Sequence, residues 1–350
     1  MKTVTVSASK DYDILIGPGL LSQLGSRVKD LGNIQKVALV SESTVYPLFG
    51  AKAESSLKEA GLEVVTFVFP AGEQSKNSET YLNLVNFLAE NRLTRTDALV
   101  ALGGGVVGDL TGFAAATYLR GVSFVQVPTT LLAAVDSSVG GKTAIDLPGG
   151  KNLVGAFKQP VAVLCDPDTL RTLPPETLAD GMGEVIKYGM IRDEKLFALL
   201  EQYNLETIHE VIGTVIANCI DIKRQVVEHD EFDTGERMIL NFGHTLAHAI
   251  ESYYHYETYT HGSAVAAGMC MMAEKTCAPE IYKRLCDCVT AYQLPTTVLA
   301  PMGELVPLCG KDKKRASRDL RYIVCEEIGN AQIRSMPFAE FSAWMGGATA

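Results

Sequence analysis

No two cysteines are spaced CxxC, although the chain carries eight: Cys165, Cys219, Cys270, Cys277, Cys286, Cys288, Cys309 and Cys325. That excludes a zinc ribbon or a thioredoxin-type motif. In a chain of this length without an export signal, the thiols are expected to be reduced and partly buried. Long hydrophobic runs are also missing. Even the long apolar stretch Ala264 to Ala273 is far too short to span a bilayer. The opening residues Met1-Lys2-Thr3-Val4 lack the charged segment and apolar stretch of a signal peptide, so a cytoplasmic protein is expected. Positive charge is scarce: the formal net charge of −10 argues against a nucleic-acid or anionic-membrane surface. No repeat or low-complexity tract stands out. What remains is an ordinary globular composition, 47 % hydrophobic and 21 % charged, over 350 residues. That length suggests about two domains.

The first half alternates strand and helix patterns. Lys36 to Val40 and Leu62 to Phe69 read as strands, with helical spacing over Val45 to Ala60 between them. Thr80 to Asn91 is a second amphipathic helix, and Asp97 to Leu102 is a strand running into glycines. This order predicts a parallel sheet covered by helices. After Leu173-Pro174-Pro175 the pattern turns helical, over 176–191, 194–203, 205–228, 245–254, 263–276 and 281–292, with a late strand over Leu320 to Val324. The expectation is an α/β Rossmann-like domain over residues 1–172 and an all-α domain over 173–350.

Leu102-Gly103-Gly104-Gly105-Val106-Val107-Gly108-Asp109 follows a strand and opens a helix, and glycines 103, 105 and 108 fit G-x-G-x-x-G. Glycine permits a sharp turn and lets backbone N–H groups approach a pyrophosphate at a helix N-terminus. The loop lies about a hundred residues into the chain, unlike the first-turn fingerprint of an ordinary Rossmann domain. It points to a nucleotide without fixing the topology.

Only six histidines are present, and four fall between 244 and 261. His244 and His248 are i, i+4 on one helix face, and His261 stands in a Tyr-Thr-His-Gly turn. The HxxxH spacing of zinc proteases fails here, because Thr245 occupies the place of their general-base glutamate. Glu184 and Lys187, i, i+3 on another helix, can face one cavity. One carboxylate and two imidazoles leave an open position on a metal, as a catalytic site requires. Spacing does not decide which two histidines ligate.

Basic residues in glycine-rich or polar surroundings suit anions: Arg120 before Gly121, Lys142 after Gly140-Gly141, Lys151 before Asn152, then Lys223, Arg237 and Lys311-Asp312-Lys313-Lys314.

Taken together, these segments resemble the 3-dehydroquinate synthase family. The resemblance is carried by Pro70 to Lys76, Gly103 to Asp109, Gln126 to Thr143, Gly183 to Lys187, Leu240 to Thr245 and Asp312 to Lys314, in order. It implies an N-terminal Rossmann-like domain, a helical C-terminal domain and a homodimer. The implied reaction converts 3-deoxy-D-arabino-heptulosonate 7-phosphate into 3-dehydroquinate and phosphate, the second step of the shikimate pathway. NAD is used and regenerated within one turnover, and the metal is zinc or cobalt. By resemblance, the metal ligands are Glu184, His244 and His261. NAD contacts fall on Gly72, Glu73, Lys76, Gly105, Val106, Val107, Gly108, Asp109, Thr129, Thr130, Lys142, Lys151, Thr169, Leu170, Arg171 and Thr172. Substrate contacts fall on Arg120, Asp136, Lys142, Asn152, Lys187, Lys223, Arg237, Asn241 and His248, with one of Lys313 and Lys314. Arg120 resembles a residue that reaches the partner subunit's site.

Gly183 stands where alanine is common in the family, Ala247 where glycine is, Asp233 where glutamate is usual, and Glu42 where aspartate or asparagine is more familiar. Two rivals share the two-domain plan. A polyol dehydrogenase of the glycerol dehydrogenase type would accumulate NADH and need fewer anion-binding residues. A sister cyclase making 2-deoxy-scyllo-inosose or an epi-valiolone would differ at the carboxylate and phosphate contacts.

Overall fold

The structure is a computed structural model that describes residues 1–309 and 319–346. Lys311, Lys313 and Lys314, expected near the substrate, lie outside the described residues. The chain folds into two units: Met1–Leu173 with Ile212–Phe232, and Pro174–Val211 with Asp233–Ala350.

The first unit is built on strands β1 (Lys2–Val6), β2 (Tyr12–Ile16), β3 (Lys36–Glu42), β4 (Glu63–Phe69), β5 (Ala98–Gly103), β6 (Ser123–Pro128) and β9 (Ala162–Cys165). They form one sheet in the order β1-β2-β9-β6-β5-β3-β4. Every pairing is parallel except β1 on β2. β5 reads Ala-Leu-Val-Ala-Leu-Gly and is buried throughout, as a strand covered on both faces must be. Side chains of β3 alternate between two cores: Val37 and Leu39 on one face, Ala38 and Val40 on the other. The covering helices include α1 (Leu24–Asp30), α2 (Ala51–Glu59), α3 (Ser78–Glu90) and α4 (Gly105–Thr117). The chain runs from β3 outward to β4, then back past β3 to β5. The carboxyl ends of β3 and β5 therefore flank a topological switch point, where open α/β sheets take ligands.

A separate hairpin joins β7 (Lys142–Leu147) to β8 (Gly150–Phe157). The edge strand β1, its neighbour β2 and this hairpin add to the pattern expected from sequence.

The second unit is mostly helical: α5 (Pro175–Arg192), α6 (Glu194–Leu200), α8 (His244–Tyr253), α9 (His261–Thr276), α10 (Pro279–Ala291), α11 (Met302–Cys309) and α12 (Phe338–Met345). The expected late strand is present, as β10 (Asp319–Glu327), and it pairs with β11 (Asn330–Pro337).

Helix α7 (Ile212–His229) differs from expectation twice. It groups with the first unit, where Glu228 accepts a hydrogen bond from the Ser7 N–H at 2.8 Å and Lys223 reaches Asp136. It also starts later than residue 205. The Asn204 side chain accepts from the N–H groups of Glu206 (3.0 Å) and Thr207 (3.1 Å). This gives the backbone a turn in place of a helix. Among the described residues no helix is long and apolar enough to cross a membrane.

Candidate active site

In the second unit, close backbone approach sets where the functional side chains stand. α9 lies against α5 and α8 through its glycines. A Cβ on Gly262 would come 1.7 Å from the Asp180 carbonyl oxygen, and one on Gly268 would come 2.3 Å from the Gly243 carbonyl oxygen. Gly243 itself takes the left-handed φ of +80° that turns the chain into α8 at His244. Glu184 on α5, His244 at the start of α8 and His261 at the start of α9 thereby meet. Their ligand atoms all lie within 4.8 Å of one another.

The details suit a divalent cation. Glu184 Oε1 is 3.4 Å from His244 Nε2 and 3.5 Å from His261 Nε2. Both Nδ1 atoms are engaged elsewhere, His244 with the Phe242 carbonyl at 3.2 Å and His261 with the Glu251 carboxylate at 3.2 Å. Such partners fix the tautomer and turn the Nε2 lone pairs inward. Burial first, then the nearby Lys187, pulls His244 down to about 3. Burial also works against charge on His261, but hydrogen bonds to Glu184 and Glu251 outweigh it and lift that ring to about 10.

Lys187 is buried and pairs with the other oxygen of Glu184. His248 lies exposed beside His244, ring centroids 5.6 Å apart. Arg237 is buried and Asn241 exposed, both in the short helical segment Glu236–Asn241. Its first residue, Glu236, pairs with Arg192 of α5 at 2.5 Å.

In the first unit, the glycine loop leaves β5 at the switch point. Gly105, Val106 and Val107 form the first turn of α4, and the helical ladder begins with Gly108 N–H to the Gly104 carbonyl at 3.1 Å. Among the described residues no side chain caps this end, so its N–H groups face outward as an anion site. The loop is tightly flanked: a Cβ would come 3.1 Å from the Thr130 side chain at Gly104 and 3.2 Å from the Ser137 side chain at Gly105. Thr129 donates its N–H to the Gly103 carbonyl at 3.0 Å, tying β6 to the loop. Lys76, almost fully buried, sits 2.8 Å from Glu73, 3.4 Å from Asp109 and 3.8 Å from Asp146. Lys151 stands 3.9 Å from the same Glu73 oxygen. Burial drives the Asp109 carboxyl up to about 7 against the pull of Lys76. The structure therefore brings Glu73, Lys76, Asp109 and Lys151 together, with Gly72 opening their turn at φ +110°.

Asn152 donates its N–H to Asp146 at 2.7 Å. Lys223 donates to the Asp136 carboxylate (2.7 Å) and carbonyl (2.6 Å). Lys142 is exposed at the start of β7, and Arg120 is exposed in a left-handed turn at φ 67°. Thr169, Leu170, Arg171 and Thr172 form a 3-10 turn just after β9, where Leu170 points into the core and only its backbone is available.

Sequence reasoning passed over three carboxylates that organise these groups. Asp146 anchors Asn152 and faces Lys76. Asp180 accepts the Gly262 N–H at 2.6 Å, capping α9 beside His261. Glu251 holds His261. The signal for Glu251 was its place seven residues after His244 and three after His248, on the same helix face.

In fold the chain is similar to solved synthases crystallised with NAD+ and a divalent metal. It superposes on the crystal structure of 2-deoxy-scyllo-inosose synthase complexed with carbaglucose-6-phosphate, NAD+ and Co2+, with a TM-score of 0.88 and 24 % identity, covering 99 % of this chain and 100 % of that one. Within that fold the sequence is more specific. Residues 66–180 match the 3-dehydroquinate synthase N-terminal family and residues 181–315 the C-terminal family. The 3-dehydroquinate synthase of Clostridium acetobutylicum is 44 % identical over 348 residues, 97 % of this chain and 98 % of that protein. That of Streptococcus suis is 43 % identical over 348 residues, with the same coverage. The chain belongs to the 3-dehydroquinate synthase family, and is accordingly an enzyme, a carbon–oxygen lyase.

Proposed function

We propose that this chain converts 3-deoxy-D-arabino-heptulosonate 7-phosphate into 3-dehydroquinate and phosphate, with NAD in the first unit and one zinc or cobalt ion in the second. The observation that carries the reading is the meeting of Glu184, His244 and His261, with Lys187 on the far oxygen of the same carboxylate. Glu184, His244 and His261 would hold the metal. When bound, the two cofactors supply Lewis-acid polarisation and a reversible hydride acceptor.

The residues of the chain bind and orient. The α4 N-terminus, Lys76 and Lys151 suit the NAD pyrophosphate. Gly72, Glu73, Thr129, Thr130, Lys142 and the Thr169–Thr172 backbone complete the proposed NAD contacts. Arg120, Asp136, Lys142, Asn152 and Lys223 of the first unit are the proposed contacts for the substrate. Lys187, Arg237, Asn241 and His248 are those of the second. The Lys187 ammonium beside Glu184 stabilises negative charge developing on a substrate oxygen. The density of cationic and hydrogen-bonding groups favours a substrate with both phosphate and carboxylate over a simple polyol.

The proposal extends to a homodimer. Strand β8 is exposed along nearly its whole length, with Leu153 61 % accessible and Phe157 44 %. A second copy of the chain is the occupant that fits, Arg120 lying in the same unit. Cytoplasmic residence is supported by eight cysteines that are all free thiols.

The deciding assay supplies heptulosonate phosphate, catalytic NAD and zinc. Phosphate and dehydroquinate should form without net NADH. Stoichiometric NADH would point to a dehydrogenase, and absence of phosphate release from heptulosonate phosphate would overturn the reading.

A further inference from the structure

Glu251 is buried on α8, 6 % exposed, on the face that also carries His244 and His248. Its Oε1 lies 3.2 Å from Nδ1 of His261, whose Nε2 points to Glu184 Oε1 at 3.5 Å. His261 is the first residue of α9, so its ring is not flanked by a preceding helical turn. His244 has a neutral carbonyl on its Nδ1, that of Phe242 two residues away on the same stretch of chain. His261 has instead a carboxylate from a different helix, ten residues back in sequence.

We propose that Glu251 is a positioning residue for the metal site: its carboxylate accepts the Nδ1 proton of His261 and so presents Nε2 to the cation as a lone pair. Two consequences follow from elementary chemistry. An imidazole whose Nδ1–H is held by an anion is a more basic ligand at Nε2 than one held by a carbonyl. A ring pinned at Nδ1 also keeps its direction when the cation leaves, so the site stays formed without metal. Asp180 fixes the backbone next door through the Gly262 N–H, and Glu251 fixes the ring. The inference rests on His261 being a ligand.

The test measures zinc affinity of metal-free protein by chelator competition for wild type, Glu251→Gln, Glu251→Ala and His261→Ala, with thermal unfolding of the same metal-free samples. Glu251→Gln keeps the shape and removes the charge, so it still reports on the site if Glu251→Ala does not fold. The expected result is zinc binding weakened by about 10- to 100-fold in the Glu251 variants, and more in His261→Ala. If the Glu251 variants bind zinc as wild type does while His261→Ala loses it, this inference falls and the ligand reading stands. A lowered unfolding temperature with unchanged zinc affinity also overturns it, since Glu251 would then serve only the fold. Wild-type zinc binding by His261→Ala would overturn the ligand reading itself, and this inference with it.

Discussion

Gly183 and Gly262 face each other backbone to backbone: a Cβ on Gly183 would stand 2.3 Å from the carbonyl oxygen of Gly262. Each glycine is the sequence neighbour of a proposed metal ligand, Glu184 and His261. The approach of α5 to α9 therefore sets the spacing of those two ligand atoms.

Gly183→Ala is expected to push the helices apart, because the blocking atoms are backbone and cannot rotate away. The cost should be about 1–3 kcal/mol of stability, the usual range for overpacking a core, together with weaker zinc binding. An alanine variant with unchanged unfolding temperature and zinc content would contradict it.

Glu54 gives a pH prediction far from the site. Its carboxylate accepts from Lys58 Nζ (2.6 Å), Tyr46 OH (2.6 Å) and Thr66 Oγ1 (2.7 Å). Lys58 first, then Tyr46, hold its pKa at about 2, below the usual 4.5. A depressed acid stabilises the fold above its unfolded pKa and loses that contribution as pH falls through the folded one. Glu54→Gln should therefore cost about 1–2 kcal/mol at pH 7, and the gap from wild type should narrow steadily below pH 4.5. Unfolding temperatures of both proteins from pH 7 to pH 3.5 provide the measurement; a constant gap would refute the assignment.

Much of the first unit was legible because its strands are apolar on both faces. β3, β4 and β5 and the helix over Ser78–Glu90 follow from such runs and their periodicity. The edge strand β1, mostly exposed, and β8, exposed on both faces, carry no burial pattern to read. Helix α7 shows an amphipathic face, but periodicity does not say which unit that face packs on, and chain order alone pointed to the second. Spacing left three histidines as candidate ligands. The resemblance chose His244 and His261, and the structure brings those two to Glu184. Glu251 escaped notice because a carboxylate on a helix usually faces water; only the tertiary approach of α9 shows that it does not.

Lys187 separates binding of metal from chemistry. It is fully buried and pairs with Glu184 without being a ligand itself. Lys187→Met should keep the zinc content near wild type and lower phosphate release by about 100-fold or more, the scale of losing one preorganised charge. Metal analysis beside steady-state kinetics checks both halves. A normal rate would remove Lys187 from the reaction.

Lys223 and Asp136 allow structure and function to be told apart within one ion pair. The ammonium is buried and bonded to both the carboxylate and the carbonyl of Asp136. Removing one partner of a buried pair is costly, less so here because Asp136 is partly exposed, whereas replacing both by apolar groups is often neutral. Lys223→Met should thus destabilise the protein, and Lys223→Met combined with Asp136→Leu should recover most of that loss. If the pair were only structural, activity would return with stability in the double variant. The proposed substrate contacts require otherwise: the double variant should be stable yet show a raised KM or a lost rate with heptulosonate phosphate, while NAD binding persists. Calorimetric unfolding and kinetics on the same three proteins distinguish the two roles, and restored kcat/KM in the double variant would exclude Lys223 and Asp136 from substrate recognition.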